Sequence, residues 1–195
     1  MKKKIIQAAD PVEIRLNKFI ANAGICSRRD ADQLILSGKI TVNDQVVQVL
    51  GTKIMPTDKI TYLKKIIQSE KLQYVLLNKP KDFITTTQDP QNRRTVMTLI
   101  EKACVERIYP VGRLDRHTTG LLLFTNDGDL AKRLTHPKYK IKKIYQLELD
   151  KPIIEAHYNE ITMGVHLEDG LAFVDHLAIL TDDRKRLGIE IHIGK

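Results

Sequence analysis

The spacing of apolar residues changes once near the start of this chain, and that change limits what its first part can fold into. Up to Gly38 the apolar residues recur at helical spacing; beyond it they alternate. Leu16, Phe19, Ile20 and Ala23 form one stripe, which Gly24 closes. Ser27 opens a second helix, with Asp30 three residues on completing a capping pattern. Ala31, Leu34 and Ile35 form its apolar side before Gly38 ends it. Residues 39–42 and 45–47 then read as strands joined by a tight turn at Asn43-Asp44. A last strand at 60–62 closes the module. Two short helices followed by short strands predict a small α/β module.

The polar stretch 64–71 has weak periodicity and reads as a linker. Residues 1–11 are expected to be a basic N-terminal tail, 12–62 the module, 63–72 the linker and 73–195 a second domain. That domain opens with a run, 74–77, that reads as a buried strand and that Pro80 stops. A helix over about 95–104 and strands at 108–111 and 121–124 follow, then a helix from about 127 to 135 ended by His136-Pro137. Residues 144–149 alternate like a strand. Pro152 suits the first position of a helix running to Met163, with Gly164 as its stop. Strands are expected at 173–180 and 187–193. Strands interleaved with helices, some joined too briefly for crossovers, predict an α+β fold with a mixed, largely antiparallel sheet. Leu187, Ile189, Ile191 and Ile193 alternate like a central strand, yet the sequence stops at Gly194-Lys195. On that reading the second domain is truncated at its C-terminus.

With 32 Lys+Arg against 24 Asp+Glu, the net charge of +8 favours polyanionic partners, though charge alone decides little. Cys26 and Cys104 lie far apart, without a CxxC or Cys/His cluster, which argues against a disulfide framework and structural zinc. The six histidines show no metal-ligand spacing. No apolar run approaches membrane-spanning length and no signal-type segment follows the first lysines. The expectation is a reduced, soluble, cytoplasmic protein, monomeric, with no membrane partner.

The segment Gly112-Arg113-Leu114-Asp115-Arg116-His117-Thr118-Thr119-Gly120 lies between two predicted strands, where a loop projects polar groups from a rigid support. Asp115 stands between Arg113 and Arg116, which would keep a carboxylate ionised and aimed. Such a carboxylate serves as a nucleophile, or the loop is an ordinary ion-paired surface loop; the residues alone leave both open. Together with Thr125-Asn126-Asp127-Gly128, this segment resembles the signature of the RsuA/RluB/RluE/RluF family of pseudouridine synthases. Leu77-Asn78-Lys79-Pro80 resembles that family's opening strand, and Lys143-Ile144-Tyr145 its Lys-x-Tyr element. Ser27-Arg28-Arg29 and residues 38–43 resemble the S4 RNA-binding module that precedes the catalytic domain.

The resemblance implies isomerisation of a uridine within ribosomal RNA, free or in an assembling subunit, with no metal or organic cofactor. It implies Asp115 as nucleophile, attacking C6 of the base or C1′ of the ribose. Tyr145 would lie against the base and assist loss of the C5 proton, with Lys143 beside it. Arg113 and Arg116 would meet RNA near the extruded nucleotide, and Thr119 with Gly120 would shape the turn. In the first module, Arg15, Lys18, Ser27, Arg28, Arg29 and Lys39 are the candidate RNA-contact positions. Two departures stand out. Asp82 occupies a place where the family often has glycine. Residues 190–195 resemble a strand that in relatives runs into an Asn-Arg-Gln-x-Arg-Arg-Met segment carrying a basic partner for the catalytic carboxylate. Without that partner the expectation is weak activity or an RNA-binding remnant. A hydrolase using the same carboxylate is the more distant alternative.

Overall fold

The computed structural model describes residues 13–192, so the expected tail 1–11 and the end of the last strand lie outside the described residues. The chain divides into two compact units between Gly128 and Asp129.

The first unit begins with β1 (Ile14–Arg15), α1 (Leu16–Asn22), α2 (Arg28–Leu36), β2 (Ile40–Val42), β3 (Gln45–Val46), β4 (Lys53–Ile54), β5 (Ile60–Tyr62) and β6 (Lys65–Ile66). Strand β1 pairs with β4, and the others form an antiparallel sheet in the order β3-β2-β5-β6. Helix α2 starts as its sequence predicts. The Ser27 Oγ accepts the Asp30 N–H at 3.2 Å and donates to the Asp30 carboxylate at 2.7 Å. Asn43 and Asp44 have φ of 50° and 67°, the turn that matches the twist of the β2–β3 hairpin. Leu16, Ile20, Ala31, Ile35, Ile40, Ile54 and Ile60 make one buried core.

The sheet does not close at Tyr62. Leu63 and Lys64 adopt φ of 49° and 64° and return the chain as β6, and Ile67 packs on the core. Neither residue favours positive φ, so the turn has no local signal.

The rest of the first unit comprises β7 (Tyr74–Lys79), α3 (Met97–Ile100), β8 (Tyr109–Pro110) and β9 (Gly120–Thr125). These strands form an antiparallel sheet in the order β7-β9-β8. One face, with Leu122 and Phe124, packs on Phe83, Val96, Ile100 and Ile108. The other face is open: Leu76 and Leu121 are 62% and 69% exposed. The run 74–77 is therefore not a buried strand: only alternate residues, Val75 and Leu77, are partly buried. Helix α3 is much shorter than expected. Thr95 is held in a bridge to Ile84, and the Thr98 hydroxyl donates to the Thr95 carbonyl at 2.9 Å, both competing with helical bonding.

The second unit holds α4 (Gly128–Thr135, its first residue at the division), β10 (Lys142–Glu148), α5 (Glu155–Met163), β11 (Val165–Leu167), β12 (Gly170–Ala172), β13 (His176–Ile179) and β14 (Arg186–His192). Strand β14 is central in an antiparallel sheet β10-β14-β13, and β11 and β12 form a separate hairpin. Ile153, Leu177 and Leu187 form the core, with Tyr158 of α5 donating its hydroxyl to the Leu177 carbonyl at 3.0 Å. Helix α5 begins at Glu155, not at Pro152. The backbone of Ile153 is already committed: its N–H donates to the Arg184 carbonyl at 2.9 Å, and its carbonyl accepts Arg184 Nε at 2.9 Å. The expected strand at 173–180 is reduced to β13, and the β11–β12 pairing was not anticipated. All of these sheets are antiparallel, and with the helices they give the expected α+β class. No helix of the described residues is long and apolar enough to cross a membrane.

Candidate active site

The register of two strands places the candidate loop. Lys79, last in β7, pairs with Gly120, first in β9, so the segment ending at Thr119 passes beside the Lys79 side chain. Alternation along β7 turns Lys79 to the same face as Val75 and Leu77, and it is 0% exposed. Among the described residues no carboxylate meets this buried ammonium. Instead Nζ donates towards the carbonyls of Pro80 (3.1 Å), Asp115 (2.9 Å), Arg116 (3.2 Å) and Thr118 (2.8 Å). Four acceptors around three N–H donors means that at least one proton is shared. The carbonyl dipoles replace the water that the ammonium loses on burial.

Further ties hold the same loop. The Thr85 hydroxyl donates to the Leu114 carbonyl at 2.7 Å and accepts the Leu114 N–H at 3.3 Å. The Asp82 N–H donates to the Arg116 carbonyl at 2.8 Å, and the Thr118 N–H to the Asp115 carbonyl at 3.1 Å. Leu114 itself packs against the core of Leu122 and Phe124. Gly112 and Gly120 bound the loop with φ of 79° and 136°, conformations in which a side chain would be strained. The carbonyls of residues 114, 115, 116 and 118 are thus all engaged from within the protein. Asp115 is exposed at the outer side of this anchored turn. Its carboxylate makes no hydrogen bond or ion pair among the described residues.

Arg113 and Arg116 do not hold Asp115 as expected. Arg116 Nε lies 3.4 Å from Asp82 Oδ1, and His117 Nδ1 lies 3.5 Å from the same oxygen. Among the described residues Arg113 makes no ion pair. Thr119 is exposed beside Gly120. Lys143 and Tyr145 belong to the second unit. They pair with Ile191 and Ile189 and so share one face of β10, with Tyr145 43% exposed. In the first unit, Arg15, Arg28, Arg29 and Lys39 are exposed, Lys18 lies on α1, and Ser27 serves as the α2 cap. No cluster of metal-ligating side chains occurs among the described residues.

Lys79, Thr85 and Asp82 are the residues whose part in the site the sequence did not reveal. A signal existed for the first, since a lysine on the buried parity of an apolar strand needs an internal partner. Thr85→Val is expected to cost about 1–2 kcal/mol through the loss of two hydrogen bonds at Leu114. Chemical denaturation together with the turnover rate measures it, and unchanged values for both would remove Thr85 from the anchoring set.

Residues 73–194 match the RNA pseudouridylate synthase family, and residues 14–60 match the S4 domain. The chain belongs to the RNA pseudouridylate synthase family. This pseudouridine synthase is 40% identical over 188 residues to an uncharacterized RNA pseudouridine synthase of Aquifex aeolicus, a match covering 94% of this chain and 75% of that one. It is also 40% identical over 185 residues to ribosomal large subunit pseudouridine synthase B of Bacillus subtilis, covering 93% and 75%. A crystal structure of a pseudouridylate synthase superposes with a TM-score of 0.55 at 26% identity, over 93% of this chain and 78% of that one.

Proposed function

We propose that this synthase converts a specific uridine of ribosomal RNA, free or in an assembling subunit, to pseudouridine, with Asp115 as the nucleophile. The observation that carries the reading is the loop itself. Its backbone is anchored at Leu114, Asp115, Arg116 and Thr118, while the Asp115 carboxylate carries no partner among the described residues. A nucleophile held by its main chain and free at its side chain is aimed before substrate arrives.

In the proposed reaction the carboxylate adds to C6 of the base or C1′ of the ribose. In either case the N1–C1′ bond breaks, a C5–C1′ bond forms, the bond to Asp115 breaks to restore the carboxylate, C5 gives up its proton and N1 gains one. One bond and one proton move, so no redox or group-transfer cofactor is called for. Tyr145 offers a ring face to the flipped base and a phenol to the C5 proton, with Lys143 on the same face of β10. Arg113, Arg116 and Thr119 border the nucleotide. The enzyme is taken to act as a monomer, in the cytoplasm and away from membranes.

The S4 domain supplies the RNA contacts in this reading. Arg28 and Arg29 are exposed in the first turn of α2, where free N–H groups also favour phosphate, and Arg15, Lys18, Ser27 and Lys39 extend the surface. Arg28→Ala with Arg29→Ala is expected to weaken RNA binding about tenfold and to flatten the slope of log K against log salt by roughly 1.4–1.8. Filter binding across a salt series checks this; an unchanged slope would take both arginines off the RNA.

The test of the function is tritium release from RNA labelled at C5 of uridine. Release by the native chain that disappears in Asp115→Asn supports the proposal. RNA binding without any release would make the protein an RNA-binding relative lacking turnover.

A further inference from the structure

We infer that Asp82 is a positioning residue for Arg116, holding the arginine beside the candidate catalytic loop until an RNA phosphate takes it over. The inference rests on the reading that this loop faces RNA.

Asp82 sits just after β7 with φ of 69°, and two separate contacts join it to the loop. Its N–H donates to the Arg116 carbonyl at 2.8 Å. Its Oδ1 lies 3.4 Å from Arg116 Nε and 3.5 Å from His117 Nδ1. One contact therefore fixes the main chain of residue 116, and the other directs its side chain. They are separable: the side chain can leave while the backbone tie stays.

The side-chain contact has the properties of one that exchanges. Both partners are more than half exposed, at 55% and 53%, so water and salt screen the pair. It is a single approach through Nε at the long end of the range. Among the described residues the other two guanidinium nitrogens make no hydrogen bond or ion pair, leaving the fork that suits phosphate unused. Asp82 also draws Arg116 to itself and not to Asp115, next to it in sequence, whose carboxylate has no partner among the described residues. When a phosphate replaces Asp82, Arg116 changes anion without moving the loop.

The test is a double-mutant cycle on RNA binding, using a fluorescein-labelled RNA stem-loop with uridines in its loop. Asp82→Asn is the informative variant because asparagine tolerates positive φ and keeps the backbone N–H, whereas alanine would add strain. It should tighten binding about two- to fivefold, the range set by an exposed ion pair. Arg116→Gln should weaken binding and flatten the salt slope by about 0.7–0.9, one phosphate contact. In the Arg116→Gln background, Asp82→Asn should change affinity by less than about 1.5-fold. An equal gain in both backgrounds would overturn the inference, because the carboxylate would then act only as a general negative charge. No gain in the native background would overturn it as well, and so would an Arg116→Gln protein that binds with native affinity and slope. The cycle reads binding alone, so failure of the nucleophile assignment, seen as tritium release by Asp115→Asn, is scored independently.

Discussion

Lys79→Met is expected to lower the rate of tritium release at least about 100-fold while costing the fold only about 1–3 kcal/mol. The two figures differ because two opposed terms meet at this side chain. Removing the ammonium deprives the Pro80 and Thr118 carbonyls of the donor they have here, whereas the Asp115 and Arg116 carbonyls keep the N–H groups of Thr118 and Asp82. Each carbonyl left without a partner costs about 1–3 kcal/mol, unless water reaches it. Against that, methionine no longer requires a charge to be taken out of water at a fully buried position. Stability therefore falls only moderately. Geometry suffers more, since the convergence of four main-chain carbonyls on one point is what fixes the turn carrying Asp115, and an ångström of displacement is enough for a 100-fold loss. Lys79→Arg should not rescue the rate, because a planar guanidinium spreads its donors and cannot gather four carbonyls around one nitrogen. Thermal unfolding and single-turnover release measure the two effects separately. A folded Lys79→Met protein with native turnover would show that the loop holds its shape without the lysine.

What the sequence made legible follows the range of the interaction. The Ser27 cap and the Asn43-Asp44 turn act within a few residues, and the local pattern was enough to find them. The Leu63-Lys64 turn is equally local, but its residues carry no preference for positive φ, and only pairing of β6 with β5 imposes it. The α3 helix fell short because Thr95 is drawn into a bridge with Ile84, which no helical periodicity records. Alternation in β7 separated its two faces without saying that Tyr74 and Leu76 stay more than half exposed. The same limit applied at the site. The loop around Asp115 was visible as a string of polar residues between strands, but its anchors come from residues far away in sequence. Lys79 reaches it through the β7–β9 register, and Asp82 and Thr85 through the turn that follows. Neighbours in sequence suggested that Arg116 would serve Asp115; contact in space assigns it to Asp82.

Asp115→Asn should reduce tritium release on the order of 10⁴-fold or more while leaving the protein as stable as the native chain, within about 0.5 kcal/mol. The amide is nearly isosteric with the carboxylate, and the carboxylate has no partner among the described residues to lose. The ties at this residue run through its backbone carbonyl, which the substitution keeps. RNA binding should persist and strengthen slightly, because a negative charge facing a polyanion has been removed. The result is informative beside Lys79→Met. Both changes lower turnover, but only the lysine variant should shift the unfolding midpoint, since one removes a reacting group and the other the geometry that aims it. If Asp115→Asn unfolds as early as Lys79→Met, the carboxylate is part of the scaffold and its loss of activity says nothing about chemistry. If it folds normally and still releases tritium, the nucleophile lies elsewhere, and the anchored turn serves to bind RNA. Native stability, retained binding and no release together would leave attack by this carboxylate as the step that fails.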